Sequence, residues 1–190
     1  MLNTIGDKKK FVTDVRAERL FREAEDDFFY FNKIEAAITK IEKALEYTPN
    51  MLKAIIMRAN IAFLEGNFEQ ALDFYKKAES LAPQNTKALS GLANVYEVCN
   101  NNTKSLEYIN KALCSLTSDS AQLKKALIDL KSTVLVKLGK YSEAKRLIDE
   151  SRYAFSDDDF HDLQINNLST INHKLELREK LKRIKLKLVK

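Results

Sequence analysis

His161 and His173 stand twelve residues apart, and no Cys or carboxylate pattern converges on them, so a metal site is not expected. Cys99 and Cys114 are the only cysteines, and two thiols in a chain of this size make neither a disulfide framework nor a metal knot. The acidic run Ser156-Asp157-Asp158-Asp159 has the composition of a helix N-cap and first turn rather than of a cation site. No phosphate-cradling glycine loop, nucleotide fingerprint or serine elbow occurs. Catalysis therefore has no candidate constellation. The sequence calls for no cofactor and predicts a protein that is not an enzyme, which leaves recognition as the chemistry to look for.

The elements that would position recognition groups are announced by a fixed interval. Pro49 and Pro83 lie 34 residues apart, as do Ala44, Ala78 and Ala112, and Ala37, Ala71 and Ser105. A period of this length indicates stacked supersecondary units rather than one globular core. It divides the chain into units Glu18–Met51, Leu52–Asn85 and Thr86–Asp119, each holding two helices of about 13 residues. Their turns fall at Phe31-Asn32-Lys33, Glu65-Gly66-Asn67 and Asn100-Asn101-Asn102, residues that tolerate the left-handed conformation of a tight helix end. A fourth unit, 125–158, turns at Gly139-Lys140-Tyr141 and begins five residues late, with Ser115–Ser120 absorbing the slack. The expected organisation is a flexible segment 1–13, a repeat domain 14–158, and a C-terminal capping helix 159–190 with a basic tail.

Composition agrees. Four glycines and two prolines among 190 residues, with 31% charged, leave long helices as the dominant element and argue against a sandwich or barrel. Met1 to Lys10 carries lysines without an apolar core after them, unlike a secretory signal. No run reaches the roughly 18 apolar residues of a bilayer span, so a cytoplasmic location is expected. The net charge of +5 is concentrated at the end: Lys174–Lys190 holds eight Lys/Arg and two Glu, a local +6.

The repeat accounts for its own residue types. Paired helices approach closely only where small side chains meet, and Ala59, Ala93 and Ser132 supply these on first helices, with Ala37, Ala71, Ser105 and Ala144 on second helices. Phe28, Tyr96 and Leu135, with Ile41, Tyr75, Ile109 and Ile148, fill the remaining space.

These residues resemble the tetratricopeptide repeat family. In Leu52–Asn85 the signature places hold Ala59, Gly66, Phe68, Ala71, Tyr75, Ala78 and Pro83. The third unit matches through Leu92-Ala93, Tyr96, Leu106 and Ala112, and departs at Ser105 and Thr117. Ala37, Ala44-Leu45 and Pro49 carry the first, where Glu25 replaces a usual small residue. The fourth keeps Gly139-Lys140-Tyr141 and Ala144. The resemblance implies an all-α, right-handed superhelix (a solenoid) of about four helix pairs, whose first helices line a groove that holds an extended or helical segment of another protein. It implies an adaptor or scaffold without chemistry of its own.

Family geometry turns Arg19, Lys53 and Lys87 toward that groove in one row, and Asn60 and Asn94 in a second, with Phe29 and Phe63 as apolar anchors. The alternative is that these charges simply solvate a helical face. The family's carboxylate clamp for acidic chaperone C-termini is not expected: Arg22 and Lys87 fit it, but Asp26, Met57 and Gly91 do not.

Two further features stay open. Phe28-Phe29-Tyr30-Phe31 spans all sides of a helix, so it reads either as a heavily packed first repeat or as a partner or self-association site. In the tail, Leu181, Ile184 and Leu188 run among Lys180, Lys182, Arg183, Lys185 and Lys187. That stripe suits a solvated extension, a protein-binding helix, or an anionic surface, nucleic acid or membrane. Through it the rival function is a nucleic-acid-associated or ribosome-associated protein.

Overall fold

Four residues in the left-handed conformation set the rhythm of the chain: Asn32, Gly66, Asn100 and Gly139, at φ of 51°, 76°, 58° and 72°. They stand at the four turns the sequence predicts, and the wider last interval carries the five extra residues. The computed structural model describes residues 5–116, 120–151 and 171–179, with side chains from residue 12 onward. Among the described residues there is no strand.

Contacts divide the chain into two units, one ending at Val95 and one beginning at Tyr96. The first holds α1 (Ile5–Phe29), α2 (Ile34–Tyr47), α3 (Leu52–Leu64), α4 (Phe68–Leu81) and most of α5 (Thr86–Val98). Here α1 packs on α2 and α3 on α4, with α2 also touching α3. The second holds the end of α5, then α6 (Asn102–Cys114), α7 (Ala121–Lys137), α8 (Tyr141–Ser151) and a helical segment over 171–179. Here α7 packs on both α6 and α8.

Several helix ends have a local cause. The Asn67 and Asn101 side chains accept hydrogen bonds from the Gln70 and Lys104 backbone N–H groups and cap α4 and α6. Asn85 does the same for α5 through the Ala88 N–H at 3.0 Å. Pro49 and Pro83 each follow a C-cap, Thr48 and Ala82, where the helix cannot continue.

The small residues sit where the repeat requires them. Ala37, Ala59, Ala71, Ala93, Ser105, Ser132 and Ala144 are all fully buried. In the first unit Ile41 and Phe21 pack with Ala24 and Ala54, while Phe28 is half-buried against them. In the second, Leu135, Ile148 and Ala144 form a cluster that includes Ile171. Burying an aliphatic side chain of this size stabilises by roughly 1.5–3 kcal/mol, so these clusters hold the pairs together.

Two boundaries differ from the sequence reading. Residues 5–13, expected as part of a flexible segment, are the first turns of α1. No proline interrupts them and lysine is a good helix former; just beyond them the Thr48 hydroxyl donates to the Asp14 carboxylate at 3.0 Å, tying α1 at Asp14 to the end of α2. Likewise α7 begins at Ala121, four residues ahead of the expected start of the fourth unit. Of the expected capping helix, residues 171–179 are helical; Ile171 is buried, Leu175 packs on the same cluster and Leu177 is exposed. The rest of 159–190 lies outside the described residues, as do residues 1–4.

Candidate functional site

Along α1, Phe21, Glu25 and Phe29 are four residues apart and so share one face of the helix. On α3, Lys53, Ile56, Met57 and Asn60 share a face in the same way. Together with Leu52, and with Asn85 and Lys87 at the start of α5, they line an open cavity of about 300 Å3 within the first unit. Phe21, Ile56 and Met57 are buried and form an apolar floor, whereas Phe29 is 68% exposed at the rim.

The polar groups around this floor differ in what they have left to offer. The buried Tyr75 hydroxyl donates to Asn60 Oδ1 at 2.6 Å, which leaves the Asn60 amide Nδ2 as the free donor. Burial pushes the Tyr75 phenol up to about 12, so it keeps its proton well into the alkaline range. Lys53 is already engaged: its ammonium pairs with Glu18 and lies 4.8 Å from the centre of the Phe21 ring. Asn85 spends its carbonyl oxygen on the α5 cap.

Lys53, Asn60 and Lys87 therefore meet at one cavity, with Phe29 beside them. The other groove candidates do not line it. Arg19 pairs with Glu23 at 3.6 Å and, with Arg22, lines a separate depression along α1 beside Asp14, Val15 and Glu18. Phe63 is half-buried and packs edge-on against Phe68, with ring centres 5.6 Å apart, which spends its apolar face on the α3–α4 hairpin. Asn94 is half-buried on α5. Glu25, Ile56, Met57 and Asn85 were not singled out as groove residues in the sequence. Three- and four-residue steps from Phe21, Lys53 and Asn60 carried the signal for Glu25, Ile56 and Met57, whereas no such step marks Asn85.

In the aromatic cluster Phe28 turns inward, while Phe29, Tyr30 and Phe31 are 68%, 79% and 61% exposed. His161 and the basic residues Lys180, Lys182, Arg183, Lys185 and Lys187 lie outside the described residues. Among the described residues no group of three or more His, Cys, Asp or Glu side chains could hold a metal ion. Among them, too, no helix is long and apolar enough to cross a membrane.

Residues 62–127, from α3 into α7, match the family model described as tetratricopeptide repeat. The fold is the tetratricopeptide-repeat fold. Solved structures bear out this likeness. A MamA double mutant superposes with a TM-score of 0.61 at 16% identity, covering 78% of this chain and 75% of its own. PilW, described as a type IV pilus biogenesis factor, gives 0.64 at 19% identity, covering 73% of this chain and 61% of its own. The first tetratricopeptide-repeat domain of Spaghetti (RPAP3), bound to the HSP90 peptide SRMEEVD, gives 0.56 at 17%, covering 64% of this chain and 94% of its own. No match was found among curated protein sequences. At these identities the likeness speaks for the tetratricopeptide-repeat fold alone, and the side chains of the cavity are this chain's own.

Proposed function

We propose that the chain is a non-catalytic adaptor that holds an extended segment of another protein against the faces of α1, α3 and the start of α5. The observation that carries this reading is the cavity itself: an apolar floor of Phe21, Ile56 and Met57 surrounded by a free amide donor on Asn60 and the charged groups of Glu25 and Lys87. Concave sites that pair apolar walls with a few directed polar groups suit a ligand whose side chain is buried while its backbone is hydrogen-bonded. The peptide held by the RPAP3 domain supports the idea that this fold serves such ligands. The grip would differ from a carboxylate clamp. Met57 offers a thioether where the clamp needs an amide, and Gly91 has no side chain to offer.

Peptides selected from a random library on the immobilised full chain test the site. Binding to Phe29→Ser should weaken by about tenfold or more with an unchanged thermal midpoint, since Phe29 is an exposed rim residue. Undiminished binding would overturn the assignment of the contact to this face.

A further inference from the structure

The cavity carries uncompensated charges of opposite sign on its two sides. Glu25 stands on α1 and Lys87 on α5, with α3 contributing the floor between them. Among the described residues neither side chain has an ion pair or hydrogen bond, whereas the other cavity cation, Lys53, is neutralised by Glu18. Covering Glu25 and Lys87 with a neutral ligand would strip them of water and return nothing. A ligand that brings the opposite charge to each recovers that loss, and one with the order reversed sets like charges together.

Resting on the reading that this face holds a protein segment, we propose that the segment is recognised by a charge order. It carries one apolar side chain over Ile56 and Met57, a basic residue on the Glu25 side and an acidic residue on the Lys87 side. The Asn60 Nδ2 group donates to a backbone carbonyl of the segment, because its Oδ1 is held by Tyr75 and only the donor end remains. Two helix spacings of ~8–10 Å separate α1 from α5, and an extended chain advances ~3.3 Å per residue, so the two charged residues stand about five or six positions apart. An internal stretch of chain satisfies all of this; a free C-terminal carboxylate is not required.

The test is a random nonapeptide library displayed between fixed flanking sequences, selected on the full chain at low salt. Enriched peptides should share one large apolar residue with Lys or Arg on one side and Asp or Glu on the other, always in the same order. Selection on the double variant Glu25→Lys, Lys87→Glu should invert that order. Peptides enriched on the parent chain should bind the double variant about tenfold more weakly, and the difference should shrink as salt is added. Both residues lack internal partners, so helical content and thermal midpoint should not change. Absence of a charge order, or an order that survives the double change, overturns the proposal. Phe29→Ser separates the two ideas. If it weakens binding while charge order is absent, the face is right and the recognition rule is wrong; if it changes nothing, the face itself is wrong and the rule falls with it.

Discussion

The Tyr75 ring lies so close to the α5 backbone that a methyl group on Gly91 would sit 2.2 Å from its Cε1 and 2.3 Å from its Cζ. Gly91 is thus required by packing, unlike Gly66 and Gly139, which have open space around them and positive φ. Gly91→Ala gains up to ~1 kcal/mol of helix propensity, but carbon atoms need about 3.5 Å, and the buried ring is tethered through its hydroxyl. Overpacking should win, with a net loss of about 1–2 kcal/mol in urea unfolding. Combining Gly91→Ala with Tyr75→Leu should recover part of the loss, a coupling that a double-mutant cycle measures. A raised urea midpoint for Gly91→Ala would show that the ring is free to move.

Tyr75 also gives the fold a pH dependence of known sign. The phenol ionises near 10 in the unfolded chain and at about 12 in the folded one, because burial disfavours the phenolate. Its contribution is fully present below pH 10 and is lost as pH rises toward 12. Tyr75→Phe should therefore be less stable than the parent by ~1 kcal/mol at pH 7, through loss of the hydrogen bond to Asn60. The gap should close or reverse between pH 10 and 12. A constant difference across that range would contradict the assignment.

How far such features could be read from sequence depends on whether they repeat. Ala71, Tyr75 and Ile148 recur at the period, and a residue that recurs marks the shared packing of the helix pairs, so their burial was legible. The Tyr75–Gly91 contact belongs to one junction only, between α4 and α5, and no spacing announces it. The same holds for the site. Lys53 and Lys87 were legible as members of one recurring row and Asn60 of a second, and the three do meet at one cavity. That Lys53 is engaged by Glu18 while Lys87 is not depends on side-chain placement across helices, which periodicity does not contain. The first turns of α1 were missed for a different reason. They are lysine-rich and precede the first repeat unit, so no position of the 34-residue period falls on them to mark them as helix.

Arg58 is a charge that the fold buries without fully satisfying. It is 7% exposed, its Nε and Nη1 have no hydrogen-bond partner, and it rests over the Phe74 ring with Glu42 3.7 Å away. An ion pair of this geometry returns little against the cost of desolvating a guanidinium. Arg58→Met, which keeps the length and apolar stem, should be neutral or stabilising by about 1 kcal/mol in thermal unfolding. Glu42→Gln should instead destabilise, because it leaves the buried cation with the aromatic face alone. A loss of more than ~1 kcal/mol in Arg58→Met would mean that the pair is worth more than its distance suggests.

The C-terminal helical residues offer a paired test of capping. Ile171 is fully buried among Leu135, Ala144 and Ile148, while Leu177, six residues on, is 40% exposed. Stacked helix pairs need their last apolar face covered, and Ile171 is the residue placed to cover it. Ile171→Ala removes a buried side chain and leaves a cavity, so it should cost about 2–5 kcal/mol. Leu177→Ala should cost about 0.5 kcal/mol or less, as surface changes away from such features do. The two variants differ only in which face of the helical residues 171–179 they empty, so helix propensity cancels between them to within a few tenths of a kcal/mol. Urea unfolding followed by circular dichroism reads both. Equal losses would mean that residues 171–179 do not cap the α7–α8 pair, and that the burial of Ile171 contributes nothing to holding it.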